Sequence, residues 1–234
     1  MIHTMKILVF CAHADDEVIG LGGTIRKFAD AGADIRLIHF SAGAEGYASP
    51  EEKETICATR AAEVKKVCRI LGISSYRNFN LLDWSITADN STYRLVIEEI
   101  RSFQPDAVFT HLESDYRDHK NVSIAVAEGH FHASLACAME AAPVWKNVPL
   151  YHFEVIKLMP EPELIVDISG TMSAKLEAME VYASQTGVVG GAAQMLESRA
   201  AMRGQSIGVR YGEALIRNRM RPRKITDLNT LLEM

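Results

Sequence analysis

Two short clusters carry the side chains best suited to chemistry. His13-Ala14-Asp15-Asp16-Glu17 sets an imidazole beside three carboxylates, and Asp115-Tyr116-Arg117-Asp118-His119 sets a second imidazole beside two more. Two histidines and one carboxylate can supply three protein ligands to zinc and leave the fourth position for water. Neighbouring side chains on an extended or turning backbone diverge. Of the pair Asp15-Asp16, one can therefore hold a metal while the other faces its bound water. A carboxylate so placed can take a proton from that water, which is the outline of a hydrolytic site. The clusters lie far apart in the chain, so the fold has to bring them together.

Each cluster follows a run that reads as a strand. Ile7-Leu8-Val9-Phe10-Cys11-Ala12 is continuously apolar, the pattern of a strand buried on both faces of a parallel sheet. An amphipathic helix is expected from Asp16 to Ala31, a second strand over 34–40 and a long helix over 50–71 capped by Gly72. A weaker strand over 77–82, a helix over 93–103 and a strand over 106–111 follow, the last ending at the second cluster. Then come a helix over 119–140, strands over 150–155 and 164–168, and a mostly helical remainder over 172–220. Strands alternating with helices predict one α/β domain, residues 1–234, built as a Rossmann-like three-layer sandwich on a largely parallel sheet. Ligands of such sheets bind beyond the carboxyl ends of the strands, where both clusters fall.

His13-x-Asp15-Asp16-Glu17 after a first strand, with Asp118-His119 after a later one, resembles the LmbE-like (PIG-L type) N-acetylglucosaminyl deacetylase family. Ile19 to Thr24, Ser41 to Gly46, Arg60-Ala61-Ala62-Glu63, Ser184-Gln185 and Tyr211 to Ala214 extend the resemblance over most of the chain. The resemblance implies that His13, Asp16 and His119 bind one zinc ion per chain, or another divalent metal in its place. It further implies Asp15 as the general base and metal-bound water as the nucleophile. The substrate so implied is an N-acetylated, GlcNAc-like sugar or sugar conjugate, and Glu45 and Arg60 would contact its hydroxyls. Homo-oligomerisation is also implied.

The chain departs from that family in two places. Ala14 stands where proline is usual, which removes no ligand. Tyr116 stands where a histidine commonly assists the oxyanion or leaving group, so either Tyr116 as a neutral donor or His111 as a substitute is the expected catalytic partner. Asp83, on the expected rim after the third strand, is a candidate for hydrogen bonding to a sugar. Asp118 has two readings: a carboxylate orienting a ligand histidine, or the N-cap of the following helix. Asp15 and Asp16 could themselves be no more than helix caps, a reading that weakens beside His13 and the second cluster.

Composition narrows the partners. A formal net charge of −5 argues against nucleic acid and anionic membrane, and leaves the basic stretch Arg217 to Lys224 as a solvated face or subunit contact. Cys11, Cys57, Cys68 and Cys137 are widely separated and read as the reduced thiols of a cytoplasmic protein. A dinucleotide-binding oxidoreductase fails because Gly20-x-Gly22 lacks its third glycine, the position being Ile25. Two rivals remain: a non-catalytic metal- or carbohydrate-binding protein of the same fold, and a zinc amidase acting on a different small amide.

Overall fold

The strand Lys6–Cys11 (β1) occupies the middle of the sheet because both of its faces are apolar. Ile7, Val9 and Cys11 point to one side and Leu8, Phe10 and Ala12 to the other, each set joining a separate hydrophobic cluster. The computed structural model describes residues 4–136, 145–185, 187, 190 and 192–220. Cys137, the far end of the expected fourth helix and the basic residues beyond 220 lie outside them.

Around β1 the strands Asp34–Ser41 (β2), Ser75–Leu81 (β3), Ala107–His111 (β4), Leu150–Phe153 (β5), Leu164–Asp167 (β6) and Gly212–Arg217 (β7) make a seven-stranded sheet. Its order is β3-β2-β1-β4-β5-β7-β6. Strands β1 to β5 pair in parallel, whereas β7 pairs antiparallel with both β5 and β6. On one face pack the helices Asp16–Asp30 (α1), Ile56–Leu71 (α2), Met172–Val181 (α5) and Ala192–Gln205 (α6). On the other pack Asn90–Phe103 (α3) and Arg117–Ala133 (α4). The expected three-layer, largely parallel architecture is thus the one observed.

Two expectations need correction. Residues 212–217 are a strand and not helix, although Glu213, Ala214 and Leu215 favour helices. The segment is buried between two strand edges, and the backbone bonds it makes to both outweigh local propensity. The helix expected over 50–71 begins only at Ile56, after a short 3₁₀ turn at Pro50–Glu52.

The glycines after β1 serve packing. A Cβ on Gly20 would lie 2.3 Å from the Phe153 ring, and one on Gly23 would lie 2.7 Å from Ile168. Helix α1 can therefore lie against β5 and the end of β6. A buried ion pair fixes that contact: Lys175 Nζ is 2.5 Å from Glu213 Oε1, with both side chains 3% exposed. Glu213 also accepts from the Gly23 and Thr24 amides, and Lys175 donates to the Ile19 carbonyl. Lys175→Met leaves the Glu213 carboxylate buried without its countercharge and should cost about 3–5 kcal/mol of stability. Urea denaturation reads this directly, and a loss below about 1 kcal/mol would mean that the pair is not coupled as its geometry requires.

Candidate metal centre and active site

Strand order reverses at β1: the chain runs outward to β2 and β3, then returns to place β4 on the other side of β1. The crevice between the carboxyl ends of β1 and β4 is where such sheets take ligands. His13, Asp15 and Asp16 follow β1, and Asp115 to His119 follow β4. Donor atoms of His13, Asp16 and His119 lie within 4.8 Å of one another. Asp16 Oδ1 is 3.1 Å from His119 Nε2, and Asp16 Oδ2 is 3.8 Å from His13 Nδ1.

Each histidine has a carboxylate behind its far nitrogen. His13 Nε2 lies 3.4 Å from Asp118 Oδ2 and 3.5 Å from Asp83 Oδ1, while His119 Nδ1 lies 3.5 Å from Asp115 Oδ2. Those carboxylates are themselves held, Asp118 by the Trp84 amide and Asp115 by the amides of Tyr116 and Ile156. Tyr116 occupies the N-cap position of α4, so Asp118 stands in the first turn.

The residues fit a divalent metal of the zinc type, with a nitrogen and oxygen donor set and a carboxylate backing each imidazole. The field agrees. Burial alone would push the His119 pKa down, but Asp16 and Asp115 outweigh it and bring it up to about 10. Burial would likewise raise Asp16, yet His119 and His111 hold it well below the usual carboxylate range. The same carboxylates, Asp16 at 3.1 Å and Asp115 at 3.5 Å from the His119 nitrogens, provide the negative field that a divalent cation needs.

Asp15 stands apart from this donor set. It sits at the N-cap of α1 with φ 118° and ψ −28°, an unfavourable conformation for a residue with a Cβ. Its carbonyl accepts from the Val18 and Ile19 amides, yet its side chain makes no capping bond. The carboxylate lines the cavity instead, 3.9 Å from Arg60 Nη2. Burial raises its pKa to about 7 against the pull of Arg60, with Asp16 and Glu17 adding to the rise. The strained turn is braced from below by Glu17, which accepts from the Asp15 amide and bonds His39 and the Tyr182 hydroxyl.

These groups open on a cavity of about 450 Å³ that Glu45, Arg60, Asp83 and Tyr116 also line. Arg60 is 4% exposed and bonds the Ala14 carbonyl and Gln185. The loop after β2 packs on the guanidinium at Gly46, where a Cβ would have to displace Arg60 Nη1. Glu45 lies 3.5 Å from Lys53. Both Asp83 oxygens are engaged, one by the Ser41 hydroxyl and one by the Glu45 amide, which ties the β2 loop to the β3 loop.

Tyr116 and His111 differ in position. The Tyr116 hydroxyl is 3.0 Å from His13 Nδ1, and burial beside four carboxylates pushes its pKa far up, so it stays a phenol. His111 is fully buried beneath the site, where its Nε2 accepts from the Ala12 amide and its ring stacks on His119 at 4.1 Å. Burial drives its pKa down to about 4, and it is absent from the cavity lining. Sequence reasoning overlooked Arg199, Met195, Val155 and Ile156, which complete the cavity and carry no local signal. Asp115 could have been found as the carboxylate four residues before His119.

Residues 8–129 match the family described as PIG-L, GlcNAc-PI de-N-acetylase, and that span contains both clusters. The chain belongs to the PIG-L family. Among PIG-L relatives it is 25% identical to a diacetylchitobiose deacetylase of Thermococcus kodakarensis, over 77% of this chain and 70% of that protein. The solved N,N'-diacetylchitobiose deacetylase of Pyrococcus horikoshii is 26% identical, with a TM-score of 0.83 over 91% of this chain and 83% of the other. A 4-carboxy-2-hydroxymuconate hydratase of Pseudomonas putida KT2440 also superimposes, with a TM-score of 0.81 at 22% identity over 96% and 100% of the two chains. That last likeness is one of fold, and a fold does not by itself fix the reaction. No helix among the described residues is long and apolar enough to cross a membrane.

Proposed function

We propose that this PIG-L protein is a zinc-dependent hydrolase that removes the N-acetyl group from a GlcNAc-like sugar or sugar conjugate. One observation carries the reading: the cavity that holds the His13, Asp16 and His119 donors also holds Asp15, a carboxylate those donors leave spare. A protein that only bound metal would have no use for it. The substrate class is supported by the two chitobiose deacetylases to which the chain is similar.

His13, Asp16 and His119 would hold the ion, with Asp118 and Asp115 orienting the imidazoles. When bound, zinc acts as a Lewis acid on a carbonyl and brings the pKa of water near neutrality. Asp15, which lines the cavity outside the donor set, takes the proton of the attacking water and returns it to the departing amine. The Tyr116 hydroxyl donates to the amide oxygen as charge develops there, a role open to a phenol that does not ionise. Arg60 and Glu45 face the sugar hydroxyls. Asp83 sets the loop that presents Glu45.

Acetate release from N-acetylglucosamine and N,N'-diacetylchitobiose by zinc-loaded protein tests the reading. Bound zinc with no acetate from these or related N-acetylated glycosides would leave a binding protein. Tyr116→Phe should lower kcat about a hundredfold with zinc content intact. His111→Ala should act through metal retention, because His111 supports His119 and does not line the cavity. Unchanged turnover in Tyr116→Phe would remove the phenol from the mechanism.

A further inference from the structure

One wall of the cavity carries none of the metal donors. It is built from α6 and the segment after β5, and it presents Arg199 among Val155, Ile156 and Met195. The Arg199 guanidinium is anchored at one corner, where Nη1 donates to the Val155 carbonyl at 2.6 Å, and Nη2 rests 3.8 Å from Met195 Sδ. The neighbouring acid, Glu154, is already spent. Arg203 binds it through both oxygens, Nε to Oε1 at 3.0 Å and Nη2 to Oε2 at 2.6 Å, and the Met159 amide bonds Oε2 as well. The other cavity arginine, Arg60, bonds the Ala14 carbonyl and Gln185 and has the Asp15 carboxylate 3.9 Å away as its countercharge, with only its Nε left unpartnered.

Arg199 is therefore a half-buried cation that has no ion-pair partner among the described residues and faces the same cavity as the metal donors and Asp15. Withdrawing a guanidinium from water is costly unless an anion compensates it. Its planar fork suits the paired oxygens of a carboxylate or phosphate. With His13, Asp16 and His119 engaged with the ion and the acetamide, Arg199 is the cation on the wall that carries none of the metal donors.

We propose that Arg199 anchors an acidic group on the substrate: the sugar acetamide is presented to the metal donors while a carboxylate or phosphate on the aglycone pairs with Arg199. Val155, Ile156 and Met195 cover the carbon skeleton between them. This specificity rests on the deacetylase reading, but the anion site is measurable by binding alone.

Titration calorimetry on the zinc-loaded Asp15→Asn protein would compare three probes: carboxymethyl 2-acetamido-2-deoxyglucopyranoside, its methyl ester, and 2-acetamido-2-deoxyglucose 1-phosphate. The free acid should bind about tenfold to a hundredfold more tightly than the ester. Adding Arg199→Gln should collapse that ratio to near one, while Arg199→Lys should keep part of it, because charge survives and the fork does not. Zinc content measured in each variant separates loss of the anion site from loss of fold. Equal binding of acid and ester, a preference that survives Arg199→Gln, or no binding of either acid overturns the proposal. A preference for phosphate over carboxylate, lost in Arg199→Gln, supports it and identifies the anion. If wild type prefers the acid yet releases no acetate from any probe, the deacetylase reading falls and the anion site stands.

Discussion

Asp15→Asn should lower deacetylation about a hundredfold to ten-thousandfold while leaving about one zinc ion per chain, the range that a positioned acid–base group contributes. Asparagine is the informative replacement because it keeps both the shape and the turn. Residue 15 sits at φ 118°, and asparagine tolerates positive φ better than most residues with a side chain. The amide removes the charge and the site for the proton without disturbing the bond from the backbone to Glu17. Metal content, by elemental mass spectrometry, and acetate release would be measured on the same preparation. Turnover within about tenfold of wild type would exclude Asp15 as the base and send the search to Asp83 or Glu45.

The second large effect is on the metal itself. Wild type should retain about one equivalent of zinc after gentle dialysis, and His119→Ala should lose most of it together with the activity. His119 supplies the donor from the second cluster, and its loss leaves Asp16, 2% exposed, without the imidazole 3.1 Å from its Oδ1. Ligand loss in such sites is not repaired by neighbours, because the remaining groups are fixed by their own partners: His13 by Asp118 and Asp83, Asp16 by the His13 amide. Wild-type protein that takes up no zinc even when it is supplied would mean that the three donors do not form a metal site.

What the sequence disclosed depended on whether the signal was local. The apolar run at β1, the αL cap at Gly72 and the two polar clusters each declare themselves within a few residues, and all lie where expected. The strand at 212–217 does not, since Glu213-Ala214-Leu215 reads as helix until two open strand edges are placed beside it. Asp118 could be assigned to His13 only with β4 and β1 adjacent, because that contact spans the whole separation of the clusters, whereas Asp115 lies one helical turn before His119 in the chain. Arg199 was invisible for the same reason. Its meaning comes from Glu154 being already occupied by Arg203, a fact about α6 and the segment after β5 together.

The placing of β7 has a consequence for how the protein is made. A ribosome releases β5 and β6 before β7, yet in the finished sheet β7 lies between them. Until residues 212–217 emerge, the nascent chain holds two strands with unpaired edges and no means of joining them, the state most open to sticking to other chains. The same late segment brings Glu213 to the middle of α1, whose first turn carries Asp16. The helix that carries Asp16 thus receives its last anchor from the last of the described strands to be synthesised. Any activity of the site should appear only once residues 212–217 have emerged, well after His13 to His119 have left the ribosome.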